Sequence, residues 1–136
     1  MPQGTITEQD KFVVKINLVS FLQGDEPKIG LIKNEDGKYL VPNEILTNGE
    51  NCYTAADRLV NTSCSLDKTT PFSIRLIACL TGQDFISLVF VLDTKSDTTF
   101  NDEILFLSGE EASKAYFEKG FFEEYGEVVK AAIENG

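Results

Sequence analysis

The run Tyr39-Leu40-Val41-Pro42-Asn43-Glu44-Ile45-Leu46-Thr47-Asn48-Gly49-Glu50 is followed directly by Asn51-Cys52-Tyr53-Thr54-Ala55-Ala56-Asp57-Arg58-Leu59-Val60-Asn61-Thr62-Ser63-Cys64-Ser65-Leu66. The period of the chain changes inside it. Tyr39 to Leu46 reads as a short extended segment around Pro42. From Cys52 onward the apolar residues Cys52, Ala55, Ala56, Leu59, Val60 and Cys64 fall at i, i+3, i+4, i+7, i+8 and i+12, the stripe of one helix face. Asn51 or Gly49 is the expected cap region. Strand, loop and helix therefore succeed one another.

Outward from this unit the pattern is rich in strands. Upstream, Lys11 to Leu22 reads as a strand closed by Gln23-Gly24-Asp25-Glu26-Pro27, and Lys28 to Lys33 pairs with it as a hairpin. Asn34-Glu35-Asp36-Gly37 turns the chain again. Downstream, Pro71–Leu80 and Phe85–Thr94 are strands joined by the tight turn Thr81-Gly82-Gln83-Asp84. The first alternates Phe72, Ile74 and Leu76 on one side, with Arg75 interrupting. The second is apolar on both faces, as a central strand is. Lys95 to Asn101 is expected as a polar loop and Glu103 to Leu107 as a last strand. Ser108 then caps a helix with Glu111 as its capping-box partner. Gly120 and Gly126 are expected to interrupt the chain beyond that helix, leaving a final helix from about Glu127 to Glu134.

Met1 to Asp10 reads as a loose leader without the apolar core of a signal peptide, and residues 11–136 as a single domain. The order β-β-β-α-β-β-β-α-α predicts an α/β (α+β) chain with a mixed sheet between helices.

Composition narrows the chemistry. Of 136 residues, 42% are hydrophobic and 10% aromatic, and the formal charge is −10. That acid excess argues against nucleic acid as a partner and against anionic membrane surfaces. Histidine is absent, which removes Ser-His-Asp and Cys-His catalysis and any imidazole acid–base step. Carboxylate, Lys, Tyr or hard-metal chemistry survives. Cys52, Cys64 and Cys79 are odd in number and lack CxxC spacing, so a reduced, cytoplasmic setting is expected, with each cysteine a small core residue.

Residues 39–66 and their flanks resemble the Nudix family, hydrolases of nucleoside diphosphates linked to another group. The family signature is G-x5-E-x7-R-E-U-x-E-E-x-G-U, with U a bulky aliphatic residue. Pro42, Gly49, Glu50, the Ala55-Ala56 pair, Arg58, Val60 and Leu66 stand where the family has them, without an insertion. Ile104-Leu105-Phe106-Leu107-Ser108 with Glu110-Glu111 is similar to the family's last strand and helix. The resemblance implies an α/β/α sandwich.

It also exposes departures. Where the family places three glutamates that hold divalent metal, this chain has Leu59, Thr62 and Ser63. A hard cation needs oxygen ligands, preferably charged, so no metal is expected at this helix. The family's double glycine is replaced by Asn43-Glu44 and its loop glycine by Ser65. The surviving Arg58 is expected to make structural contacts to the loop and its carboxylates.

Three functions compete. The favoured reading is a non-catalytic module that binds a small nucleotide-like molecule, with Lys33, Tyr39, Arg58 and Arg75 as candidate ligand contacts. The second is a hydrolase that recruits other carboxylates, with Glu50, Glu44 and Glu103 as candidate catalytic residues and Asp57 in reserve. Mg²⁺ enters only in that case; otherwise no cofactor is expected. The third is an adaptor or dimerising scaffold, so a homodimer stays open.

Overall fold

The computed structural model describes residues 13–65, 73–94 and 99–135. The expected leader, Leu66, the Pro71-Phe72 start of a strand and most of the polar loop lie outside them. In chain order the elements are β1 (Val13–Leu22), β2 (Lys28–Lys33), β3 (Tyr39–Leu40), β4 (Asn43–Ile45), α1 (Cys52–Ser63) and β5 (Cys64–Ser65). They continue as β6 (Ser73–Thr81), β7 (Phe85–Thr94), β8 (Thr99–Phe100), β9 (Leu105–Ser108), α2 (Gly109–Phe117) and α3 (Tyr125–Asn135).

β1 organises the sheet. It runs parallel to β7 along its whole length, from Val13↔Phe85 to Leu22↔Thr94. Its other edge is divided between two antiparallel partners: Lys15–Asn17 pair with β4, and Ser20–Leu22 pair with β2. β6 extends the sheet beyond β7, while β3 and β9 both pair with β2. The result is a mixed, seven-stranded sheet.

Because strand side chains alternate, β1 and β7 each supply both faces. Ile16, Leu18, Phe90 and Leu92 pack on Ala55, Ala56, Leu59 and Val60 of α1. Val19, Val89 and Val91 face the other way, toward Phe121, Tyr125, Val128, Val129 and Ala132. Each large side chain fully buried this way contributes about 1.5–3 kcal/mol. The expected α/β/α sandwich is what forms.

Several local expectations need correction. α1 ends at Ser63 rather than Cys64, because Asn101 takes over its last carbonyls. The Asn101 backbone N–H donates to Ser63 O at 2.9 Å and its side-chain Nδ2 donates to Thr62 O. Cys64-Ser65 then pairs with Thr99-Phe100, so the end of the polar loop is a short strand. The turn Asn101–Ile104, closed by Ile104 N–H on Asn101 O at 3.0 Å, delays β9 to Leu105 and leaves Glu103 in an exposed turn.

β6 also departs from its predicted alternation. A bulge between Leu76 and Ala78 shifts the register, so Leu76 is 40% exposed while Ile77, Ala78 and Leu80 turn toward the α3 side. Cys79 on this edge strand is exposed and Cys52 only half-buried, so neither is the core residue expected.

Gly126 lies inside α3 instead of before it. The left-handed turn positions fall on Lys119 (φ 57°) and Glu123 (φ 44°) rather than on the predicted glycine. Gly126 serves packing: a Cβ there would stand 3.3 Å from both Phe121 Cβ and Tyr116 Cδ2. The capping box of α2 forms as read, with Glu111 N–H donating to Ser108 Oγ and Ser108 N–H donating to the Glu111 carboxylate.

Candidate functional site

The loop before α1 is shaped by backbone needs. Gly49 takes φ +83°, a left-handed position that disfavours side chains. Asn51 caps the helix, its Oδ1 accepting from Tyr53 N–H at 2.8 Å and its carbonyl from Ala55 N–H. This geometry turns Glu50 back toward the helix, close to Glu44 on β4.

Arg58 joins the two acids. Its Nε donates to Glu44 Oε1 at 2.9 Å, its Nη2 bonds the same oxygen, and Nη2 reaches Glu50 Oε2 at 2.7 Å. Hydrogen bonds to Glu44 and then Glu50 hold the guanidinium pKa well above its ordinary value, so it is a permanent cation. The structural contacts expected of Arg58 are therefore its contacts here, and two of the three candidate catalytic carboxylates are held by it. Glu103, in its exposed turn, stands outside this cluster.

The donor set does not fit a hard divalent cation. Leu59 is 5% exposed and sits in the apolar layer under the sheet. Thr62 donates its hydroxyl to Leu59 O at 3.1 Å, and Ser63 is buried. Among the described residues no three Asp, Glu or Cys side chains converge as a ligand set. Mg²⁺ would have to displace Arg58 from both carboxylates and would still lack a third among the described residues.

The four candidate ligand contacts do not meet. Arg58 stands on the α1 side. Arg75 pairs with Asp93 at 3.1 Å on β6, which β1 and β7 separate from β4. Lys33 and Tyr39 do come together: the Lys33 ammonium lies 5.4 Å from the Tyr39 ring centroid. Tyr39 also packs on Phe121 at 5.9 Å.

On the α3 side of the sheet is a hollow of about 580 Å³ lined by Lys33, Asn34, Glu35, Asp36, Leu40, Asn43, Phe122 and Tyr125. The Phe122 and Tyr125 rings stack at 6.4 Å with 15° between their planes.

The sheet face under α3 carries three polar side chains. Lys15, Asn17 and Ser87 interrupt an otherwise apolar surface. Lys15 Nζ bonds Glu124 Oε1 at 2.5 Å and lies 5.3 Å from the Phe85 ring centroid and 5.9 Å from that of Tyr125. The bond to Glu124 raises the Lys15 pKa against the opposing effect of burial. Burial pushes the Glu124 carboxyl up, but the Lys15 bond and charge, together with hydrogen bonds within the Glu123-Glu124 segment, bring its pKa below the ordinary value. Burial pushes the Tyr125 phenol up.

Asn17 is 0% exposed, pairs in register with Asn43 and donates Nδ2 to Leu88 O at 3.3 Å. Its Oδ1 and the Oγ of Ser87 are buried without a hydrogen-bond partner among the described residues. Each such group costs about 1–3 kcal/mol. Sequence reasoning missed this group because Lys15 and Asn17 alternate with Val14, Ile16 and Leu18 like a solvent face. The available signal was that Val19 and Phe21 continue the same face and mark it as buried.

No protein-family model matches the chain, and no curated protein matches it in sequence. Solved structures do match. The C-terminal domain of mouse MUTYH, solved in complex with human PCNA, superposes with a TM-score of 0.71 at 15% identity, over 91% of this chain and 89% of that one. A mutT/nudix family protein from Listeria innocua gives 0.68 at 18% identity, over 91% and 93%. The NUDIX domain of Shewanella oneidensis NrtR, complexed with ADP ribose, gives 0.63 at 8% identity, over 90% and 87%. At these identities the likeness establishes the fold: this chain has the Nudix fold.

Proposed function

We propose that this chain is a Nudix-fold binding module that holds a small nucleotide-like molecule without hydrolysing it. The observation that carries the reading is the grip of Arg58 on both Glu44 and Glu50. Diphosphate cleavage in this fold requires a metal to polarise phosphorus, activate water and neutralise the leaving group. Here the acids that could hold such a metal neutralise a guanidinium instead, and Leu59 fills the apolar layer.

Binding has better support on the other face. The hollow offers the Phe122 and Tyr125 rings for a planar ring system, Asn43 for its polar edge and Lys33 for an anionic group. Asn17, in register with Asn43, adds a buried Oδ1 that has no partner among the described residues. ADP ribose in the neighbouring NrtR domain supports a ligand of this general class.

A thermal-shift panel of nucleotides, nucleotide sugars and ADP-ribose, each with and without Mg²⁺, tests the reading. A ligand at about 100 times its Kd stabilises the folded state by about 2.7 kcal/mol, a readily measured shift. The reading expects at least one compound to raise the melting temperature equally with and without Mg²⁺. A shift that requires Mg²⁺ and is accompanied by turnover contradicts it in favour of hydrolysis. No shift with any compound contradicts it in favour of an adaptor.

A further inference from the structure

The α2–α3 side of the molecule carries a second feature, separate from the Arg58 cluster. A groove of about 230 Å³ runs between the helices, lined by Ala112, Tyr116, Phe117, Val129, Lys130 and Ile133. Phe117 is 82% exposed and Ile133 44% exposed, so two large apolar side chains stand in water at its edge. An adjoining depression shares Tyr116, Phe117, Phe121 and Gly126 with it and adds Lys119, Glu123 and Glu127. The trough is preformed. The absence of a Cβ at Gly126 lets α3 pass close to Tyr116, and Tyr116 is held by its hydroxyl on Glu127 at 2.6 Å. The connector is pinned to the sheet by Tyr39 N–H on Gly120 O and by Phe122 N–H on Tyr39 O, at 2.8 and 2.9 Å.

Charge indicates what can cover it. The groove and its adjoining depression are lined by Glu123, Glu127 and Glu134 against Lys119 and Lys130, a small acid excess. Lys130 is engaged over the Tyr116 ring at 5.7 Å, while Glu134 lies on the lining itself. A second copy would bring the same acidic face and another −10 of charge, an unfavourable match at close range. A segment with apolar anchors and basic flanks satisfies both features: its apolar side chains cover Phe117 and Ile133, and its cations meet the acidic rim. We propose that the α2–α3 groove is a docking surface for a basic amphipathic segment of a partner protein.

The test is fluorescence anisotropy of a labelled amphipathic Lys/Leu peptide of about 18 residues, titrated with the full chain at about 0.15 M salt. Wild type is expected to bind it, and an equally long Glu/Leu peptide is not. Phe117→Ser and Ile133→Ser, both at exposed positions, should each weaken binding by about tenfold, and Glu134→Lys should weaken it too. Ile45→Ser, which removes a 63% exposed apolar residue on β4, should leave it unchanged. Circular dichroism melts confirm that the variants fold. Equal binding by Phe117→Ser, Ile133→Ser and wild type, or equal binding of the acidic peptide, overturns the proposal. A wild-type dimer in sedimentation that Phe117→Ser dissociates also overturns it, by making a second copy the occupant.

Discussion

Two N–H groups of the Arg58 guanidinium close on one oxygen of the Glu44 carboxylate, tying the exposed face of α1 to β4. The same guanidinium reaches Glu50 at 2.7 Å, so three elements of the site share one cation. A shared cation at a partly exposed site acts mainly by keeping two like charges from repelling.

Arg58→Gln should therefore lower the melting temperature by about 1–4 °C, with the larger loss at low salt. Adding Glu44→Gln to Arg58→Gln should recover part of it, because one of the two repelling acids is gone. Calorimetric melts at two ionic strengths check both points. An unchanged melting temperature in Arg58→Gln would mean that the cluster only decorates the surface.

Leu59, which the family resemblance aligns with a metal-binding glutamate, is 5% exposed among Ile16, Leu18 and Phe90. Leu59→Glu should cost about 3–5 kcal/mol, since it removes apolar packing and buries a carboxylate. Thr62→Glu, at an exposed position, should stay within about 0.5 kcal/mol of wild type. Urea denaturation of the two variants distinguishes them. Equal stability would place the side chain of residue 59 in solvent and reopen the metal site.

The Lys15–Glu124 pair gives a pH signature. Glu124 has a folded pKa below its ordinary 4.5, so its contribution is present above that value and is lost as pH falls through the folded pKa. Lys15 has a folded pKa above its ordinary 10.5, so its contribution is complete below that value and is lost as pH rises through the folded pKa. A double-mutant cycle with Lys15→Met and Glu124→Gln should give a coupling of about 1–2 kcal/mol, flat from about pH 6 to 9 and falling beyond both ends. A coupling that varies within that window would contradict the assignment.

Asn17 offers a test that separates stability from binding. Its Oδ1 is buried and has no partner among the described residues, so Asn17→Leu should leave stability within about 1 kcal/mol of wild type or raise it. The same variant should weaken any ligand found by the thermal-shift panel. A large loss of stability would show that Asn17 is a structural residue and has no part in the hollow.

Much of the framework was legible because it rests on local signals. The hairpin of β1 and β2, the stripe of α1 and the Ser108–Glu111 capping box each depend on residues a few positions apart, and all three form. The errors fall where distant residues decide. Asn101 ends α1 from 39 residues away, and the bulge near Ile77 reverses the faces of β6 without a glycine to announce it. The site divides in the same way. The family resemblance implied contacts from Arg58 to the loop carboxylates, whereas Lys33, Arg58 and Arg75 looked alike as cations and lie on β2, α1 and β6. Lys15, Asn17 and Ser87 were missed because polar alternation resembles a solvent face, and only Val19 and Phe21 further along β1 mark that face as covered.

The central claim is that this Nudix fold binds without cleaving, and ³¹P NMR tests it most directly. ADP-ribose is incubated with the protein and excess Mg²⁺, and its two diphosphate resonances are followed over hours. The account predicts that both resonances persist at full intensity, with AMP and ribose 5-phosphate no more abundant than in a protein-free control. Steady growth of those products in proportion to protein concentration, abolished by Glu50→Gln, would contradict it and make Glu50 a working carboxylate.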